Sequence, residues 1–278
     1  MKFTKMQGIG NDYVYVNCFE ETVADPERVS EIISDRHFGI GADGLVLIMP
    51  SDKADFRMRM FNADGSEGNM CGNATRCIGK FVYDNHLTDK TSITLETRSG
   101  IKKLTLYPEN DKVKTVLVDM GKAVLKPADI PMNVSGDTFI NKPITVDGKE
   151  VFITAVSMGN PHAVTYVDDV DSLELEKIGP SFENHPLFPE RVNTEFIKIL
   201  DESTMQMRVW ERGSGETWAC GTGACAATAA SVLNGYFPHD KEITVKLRGG
   251  DLFITYKSDG TVLMRGPAET VFTGEIDV

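Results

Sequence analysis

The chain has 278 residues, 41% of them apolar and 25% charged, with a formal net charge of −12. That is enough apolar material for one large domain or two of about 120–150 residues. The acidic balance offers none of the clustered Lys and Arg that nucleic acid or an anionic membrane surface requires. No apolar run reaches the ~20 residues that span a bilayer, and residues 1–17 carry no basic-then-apolar leader pattern. A cytoplasmic protein with neither a nucleic-acid nor a membrane partner is expected.

In chain order, Gly39-Ile40-Gly41-Ala42-Asp43-Gly44 matches G-x-G-x-x-G. Residues 34–38 before it do not read as a strand, and residues 45–49 after it do, the reverse of a dinucleotide fingerprint, so it reads as a turn. Residues 56–61 alternate apolar and charged, a strand pattern, and 62–66 form a turn cluster. Cys71-Gly72-Asn73 then opens a helix-compatible run over 74–83. Strands are expected at 92–97, 102–107 and 113–118. A seam comes next at 119–131, where Gly121, Pro127 and Pro131 break the pattern. Beyond it, strands are expected at 151–156, 162–167, 195–199 and 204–210, with a turn at 211–215. Cys220-Gly221-Thr222-Gly223 leads into the alanine-rich helix 224–233, and strands 243–247, 252–256 and 261–265 complete the pattern.

The second half repeats the first. Cys71-Gly72 and Cys220-Gly221 lie at an offset of 149 (220 − 71). The same offset pairs Gly10-Asn11 with Gly159-Asn160, Met58-Arg59 with Met207-Arg208, and Glu67 with Glu216. Two related halves are expected, 1–120 (completed by 267–278) and 121–266, each of many short strands around one apolar helix.

Five cysteines, an odd number without an export signal, are expected to be reduced. A cysteine in the first turn of a helix meets unpaired N–H groups and the positive end of the dipole, which lower its pKa. The same amides can hold a carboxylate. One such cysteine is more often packing than chemistry. Two, in related halves, match what inversion of a carbon centre demands, a base on one face and an acid on the other. A zinc site from Cys71, Cys77, Cys220 and Cys225 is disfavoured by the Cys-x5-Cys spacing and by helical geometry, which turns Cys77 and Cys225 away. Those two and Cys18 read as core. His162 lies at the turn beside Asn160 and pairs by offset with Tyr13. Glu211 and Arg212 are adjacent opposite charges in the turn before Cys220, suited to an amino group and a carboxylate or to a surface ion pair. Asn11, Asn62, Asn73, Asn160 and Asn193 donate and accept, as a zwitterion requires.

The segments Met6–Tyr13, Arg36–Gly44, 61–67, 70–73, 157–162, 192–196, 210–213 and 219–223 together resemble the diaminopimelate epimerase family. The resemblance implies an α+β fold of two pseudo-symmetric domains, each a β-barrel-like sheet around a central α-helix. It implies interconversion of LL- and meso-diaminopimelate without pyridoxal phosphate or metal, and a homodimer. Matched positions make Cys71 and Cys220 the acid/base pair, assisted by His162 and Glu211. Backbone at Gly72, Asn73, Gly221 and Thr222 would hold the reacting carboxylate, and Asn11, Asn62, Asn160, Asn193, Glu211 and Arg212 the rest of the substrate. The chain departs at Gly44, where many members carry Gln. A proline-racemase-like or hydroxyproline-epimerase-like enzyme is the nearest alternative, though those usually carry His where this chain has Asn73. A thiol-dependent redox or amino-acid-binding protein without turnover is another.

Overall fold

The computed structural model describes residues 1–278 and divides them into two units, 1–119 with 265–278, and 120–264. Short alternating segments need partners on both edges, and the partners found are the same in each unit. The first contains β1 (Lys2–Gly8), β2 (Asn11–Asn17), β3 (Gly44–Met49), β4 (Phe56–Asn62), the short β5 (Glu67–Gly68), β6 (Ser92–Thr97), β7 (Gly100–Glu109) and β8 (Lys112–Lys122). Their order is β1-β2-β3-β4-β6-β7-β8. The pairs β2/β3 and β4/β6 are parallel and the rest antiparallel, with β5 laid on β4. The second contains β9 (Lys142–Val146), β10 (Lys149–Ser157), β11 (Pro161–Tyr166), β12 (Asn193–Asp201), β13 (Thr204–Glu211), β14 (Gly215–Thr217), β15 (Glu242–Leu247), β16 (Gly250–Tyr256) and β17 (Thr261–Pro267). Its order is β9-β10-β11-β12-β13-β15-β16, parallel at β11/β12 and β13/β15, with β14 laid on β13. Even the register is duplicated. Leu45 faces Phe61 in one unit, and Thr194 faces Trp210 in the other.

Each sheet curls around one helix. In the first unit α2 (Gly72–Asp84) packs against β1, β2 and β7, and every residue from Gly72 to Val82 is buried. In the second the corresponding helix (Gly221–Leu233) packs against β10, β11, β12, β15 and β16. It is apolar on all sides and all but Thr222 is buried from Gly221 to Val232, which is why alanine suits it: a larger side chain would not fit within the wrap. The last strand, β18 (Glu269–Glu275), pairs with β1. No helix is long and apolar enough to cross a membrane.

Outside each wrap lies a second helix, α1 (Pro26–Ser34) and α3 (Leu175–Glu183), so that the helix 221–233 is α4. Helix α1 starts at Asp25, whose carboxylate accepts the Arg28 N–H, with Pro26 in its first turn. It covers the cluster of Val14, Val16, Leu45, Leu47 and Phe61. Helix α3 covers Ala163, Phe196 and Trp210.

Candidate functional site

Both cysteines of the repeat are helix N-caps, with extended backbone at Cys71 (φ −132°, ψ 120°) and Cys220 (φ −123°, ψ 105°). Neither helix has an acidic residue in its first turn, so the amide donors there are not neutralised from within. In front of each cysteine a strand and its short return are clamped by a two-pronged ion pair. Arg59 meets Glu67 at 2.8 and 3.1 Å, and Arg208 meets Glu216 at 2.7 and 2.9 Å. A second arginine closes each clamp, Arg98 on Glu67 and Arg248 on Glu216. The sparse identities of the repeat are therefore contacts that fix the approach to each cysteine.

In the first unit the Cys71 thiol donates to Asn11 Oδ1 at 3.4 Å. Asn11 comes after a two-residue hairpin turn in which Ile9 (φ 51°) and Gly10 (φ 90°) are both left-handed. Its amide donates to Asp43 Oδ2 at 2.8 Å, which turns its carbonyl towards the thiol. Asp43 also accepts the Asp12 N–H, and Arg36 bridges Asp12 and Asp43, each at 2.9 Å. Burial, then the nearby Asp12, raises the Asp43 pKa. For Asp12, burial works upward but hydrogen bonds from Arg36 and Lys5 prevail and hold it below the usual carboxylate range. Asn73 is buried, and its Oδ1 has no hydrogen-bond partner. Asn62 lies exposed on the hairpin, its amide donating to Ser66 Oγ at 2.9 Å. Gly44 admits no side chain: a Cβ there would stand 1.9 Å from the Phe61 carbonyl oxygen, so this backbone has no room for Gln.

In the second unit the Cys220 thiol donates to Glu211 Oε2 at 3.3 Å and its sulfur accepts the Gly223 N–H at 3.4 Å. Thr217 Oγ1 donates to the other Glu211 oxygen. The expected lowering of the thiol pKa is reversed at Cys220. Burial pushes it well above its ordinary range, and Glu211 and Glu195 add to the shift. Hydrogen bonds from Thr222 and the Gly223 amide offset only part of it. The helix terminus acts in the expected direction, but two carboxylates and dry surroundings outweigh it. Burial likewise raises Glu211, against hydrogen bonds from Thr217 and Cys220.

His162 is fully buried, with Nδ1 2.7 Å from Glu195 Oε1 and Nε2 3.0 Å from Asn160 Oδ1. Asn160 donates onward to Thr222 Oγ1 at 3.4 Å. Asn193 is consumed by the framework: its amide donates to the Pro161 carbonyl and its oxygen accepts the Arg212 N–H. Arg212 reaches the Glu190 carbonyl at 2.9 Å, while Glu211 turns to Thr217 and Cys220. Cys77 and Cys225 are buried in the helices, and burial pushes Cys77 up to about 11. Sequence reasoning does not reach Asp43, Thr217 or Glu195. The first is hidden in a glycine turn and the others in strands, where a polar residue usually means a solvent face.

A family model described as diaminopimelate epimerase matches residues 3–126 and 154–271. The chain belongs to the diaminopimelate epimerase family. The diaminopimelate epimerase of Acetivibrio thermocellus is 59% identical over 279 residues, covering 100% of this chain and 99% of that protein. That of Agathobacter rectalis is 59% identical over 286 residues, covering 100% of both. Among solved structures, a hydroxyproline epimerase from Agrobacterium vitis superposes with a TM-score of 0.71 at 12% identity, covering 99% of this chain and 90% of that one. A Bacillus anthracis phenazine biosynthesis protein of the PhzF family gives 0.72 at 18%, covering 100% and 99%. At those identities the likeness is one of fold, an α+β fold of two units. Membership of the diaminopimelate epimerase family makes the chain an isomerase, and the two cysteine N-caps are where its chemistry is sought.

Proposed function

We propose that this chain interconverts LL- and meso-2,6-diaminopimelate, inverting one Cα with Cys71 and Cys220 as its base and acid. The observation that carries the reading is a cysteine at the N-cap position of each of two register-matched, buried helices whose first turns hold no carboxylate. Amides of Gly72 and Asn73, and of Gly221 and Thr222, bind the α-carboxylate and stabilise charge that develops as the Cα–H bond breaks. One cysteine, as thiolate, takes that proton. The other, as thiol, delivers its own proton to the opposite face, so one proton leaves, one arrives, and the cysteines exchange states. In the direction in which Cys220 is the base, Glu211 serves it by accepting the thiol proton along their hydrogen bond. His162 orients Asn160; Asn11, Asn62, Asn160 and Arg212 meet the rest of the substrate, and Asn193 holds the backbone of Arg212 in place for it. Acid, base and amide donors all belong to the chain, so the reading requires no cofactor. A cytoplasmic homodimer completes it, supported by the family resemblance alone.

The test is deuterium incorporation at Cα from deuterated water, with LL-diaminopimelate and proline in parallel and a chelator present. Exchange and inversion are expected with diaminopimelate alone, and Cys71→Ala and Cys220→Ala should each reduce inversion by at least about 10³-fold, the scale of losing an acid/base group. Proton exchange on proline without exchange on diaminopimelate would overturn the substrate. Inversion surviving either substitution would overturn the mechanism.

A further inference from the structure

Strand β12 begins with buried polar residues, and one of them, Glu195, is a carboxylate with no exposure at all. Its Oε1 takes the Nδ1 of His162 at 2.7 Å, and its Oε2 has no hydrogen-bond partner. The carboxylate lies against the first turn of α4. A Cβ on Gly223 would stand 2.7 Å from Glu195 Oε1 and 3.1 Å from Cys220 Sγ, so only glycine lets the charge and the thiol come this close to the same turn. The duplication supplies an internal control. At the matching register the first unit has Val46, fully buried, and the counterpart of His162 is Tyr13. Packing in this framework is therefore satisfied by an apolar residue. A buried carboxylate in its place, with one oxygen unpaired, is costly and has to be explained by something other than packing.

We propose that Glu195 is a positioning residue for the reaction at Cys220: it holds His162 by Nδ1, fixes through Nε2 the Asn160–Thr222 edge of the half-site, and sets a negative charge behind the thiol that the Cys71 half-site lacks. The logic is that of a carboxylate that orients an imidazole from behind. The groups facing Cys220 are Glu211 from β13, Glu195 from β12, and Thr222 and Gly223 from α4, with His162 on β11 behind Glu195. Both carboxylates oppose ionisation of Cys220, after burial, which is the larger cause. Cys220 therefore rests as the thiol, the proton-delivering member of the pair, and the two half-sites are unequal before substrate arrives.

The proposal rests on the reading of Cys220 as an acid/base thiol, and its test is arranged to stand apart from that reading. Glu195→Gln keeps the shape and removes the charge, while Glu195→Asp keeps the charge and loses the reach. With diaminopimelate, Glu195→Gln is expected to lower kcat about 10–100-fold with KM little changed, the usual scale for a residue acting behind the reacting groups. Thiolate absorbance against pH, taken as a difference from the same protein carrying Cys220→Ala, should show the Cys220 midpoint moving down in Glu195→Gln and staying high in Glu195→Asp. The nitrogen NMR signals of the His162 ring should change in both. If Glu195→Gln fails to fold, the double variant Glu195→Val with His162→Tyr, which installs the first unit's own pair, gives the same thiol titration. An unmoved Cys220 midpoint together with unmoved His162 signals overturns the proposal, whatever the activity. Absence of turnover in the unsubstituted enzyme overturns the diaminopimelate reading instead, and the titration still decides the role of Glu195.

Discussion

Glu211 shows how one side chain takes its behaviour from its surroundings. Both carboxylate oxygens accept hydrogen bonds, from Thr217 and from Cys220, as an ionised carboxylate would, yet burial raises its pKa. A raised pKa means that Glu211 takes up a proton at a higher pH than an exposed glutamate as the solution is acidified. Once protonated it can no longer accept the Cys220 proton in the reaction direction that uses Cys220 as the base. The acid limb of kcat/KM should therefore lie above the ordinary glutamate range. Glu211→Gln should abolish that limb and lower kcat/KM by about 10²-fold or more. A rate profile from acid to alkaline pH checks both, and an unchanged limb in the variant would show that another group governs it. The same reasoning sets Cys77 apart from the two repeat cysteines although it lies only six residues beyond Cys71. It is fully buried, without a carboxylate or an open amide turn to put it to use.

Among the elements, α3 bears on the site although it contributes nothing to it directly. Its Gly179 lies flat against the Trp210 ring, where a Cβ would meet ring atoms at 2.2 Å. Its Glu183 accepts from Trp210 Nε1 at 2.8 Å, from Arg191 at 2.7 Å and from the Gly213 N–H at 2.9 Å. The helix thus pins the turn that carries Glu211 and Arg212. In Gly179→Ala the helix-propensity gain of up to ~1 kcal/mol competes with overpacking against a ring that cannot swing away. Overpacking should prevail, with a net loss of about 1–3 kcal/mol and a lower urea midpoint. A midpoint equal to that of the parent would show that α3 can lift without consequence. The sequence carries no sign of this contact, since Leu175–Glu183 has Pro180 inside it and lacks a side-chain N-cap bond. Helix α1 has a start signal in Asp25-Pro26, but its nine residues are too short to establish a period.

For the molecule as a whole, the two ends of the chain meet within the first unit. Strand β18 pairs with β1 from Lys2↔Glu275 to Gln7↔Glu269, the N-terminal amine donates to the Ile276 carbonyl at 2.7 Å, and Phe3 meets Phe272 edge to face at 5.9 Å. A protein ending at residue 268 would leave β1 with one open edge and uncover Phe3. Its melting temperature should fall by roughly 5–10 °C, the effect of losing about 2–3 kcal/mol in a domain of this size. Calorimetry on the truncated chain measures it, and an unshifted transition would mean that β18 is an ornament on a complete sheet.

Much of the fold is legible because repetition and alternation are local properties. The strands from 45–49 to 261–265 announce themselves by period, and Cys71 and Cys220 by their shared offset and the glycine next to each. Lys2–Gly8 and Glu269–Glu275 do not, because the pairing that joins them spans nearly the length of the chain. Within the site, the residue types at Asn11, His162 and Glu211 can be read from sequence, but not their partners. Asp43 turning Asn11, Glu195 holding His162 and Thr217 sharing Glu211 are contacts across strands. Sequence alone determined that a cysteine would stand at the start of each of two helices. The tertiary structure decided that the Cys220 thiol pKa is pushed up, because burial and the charges of Glu211 and Glu195 are properties of what surrounds a residue in space.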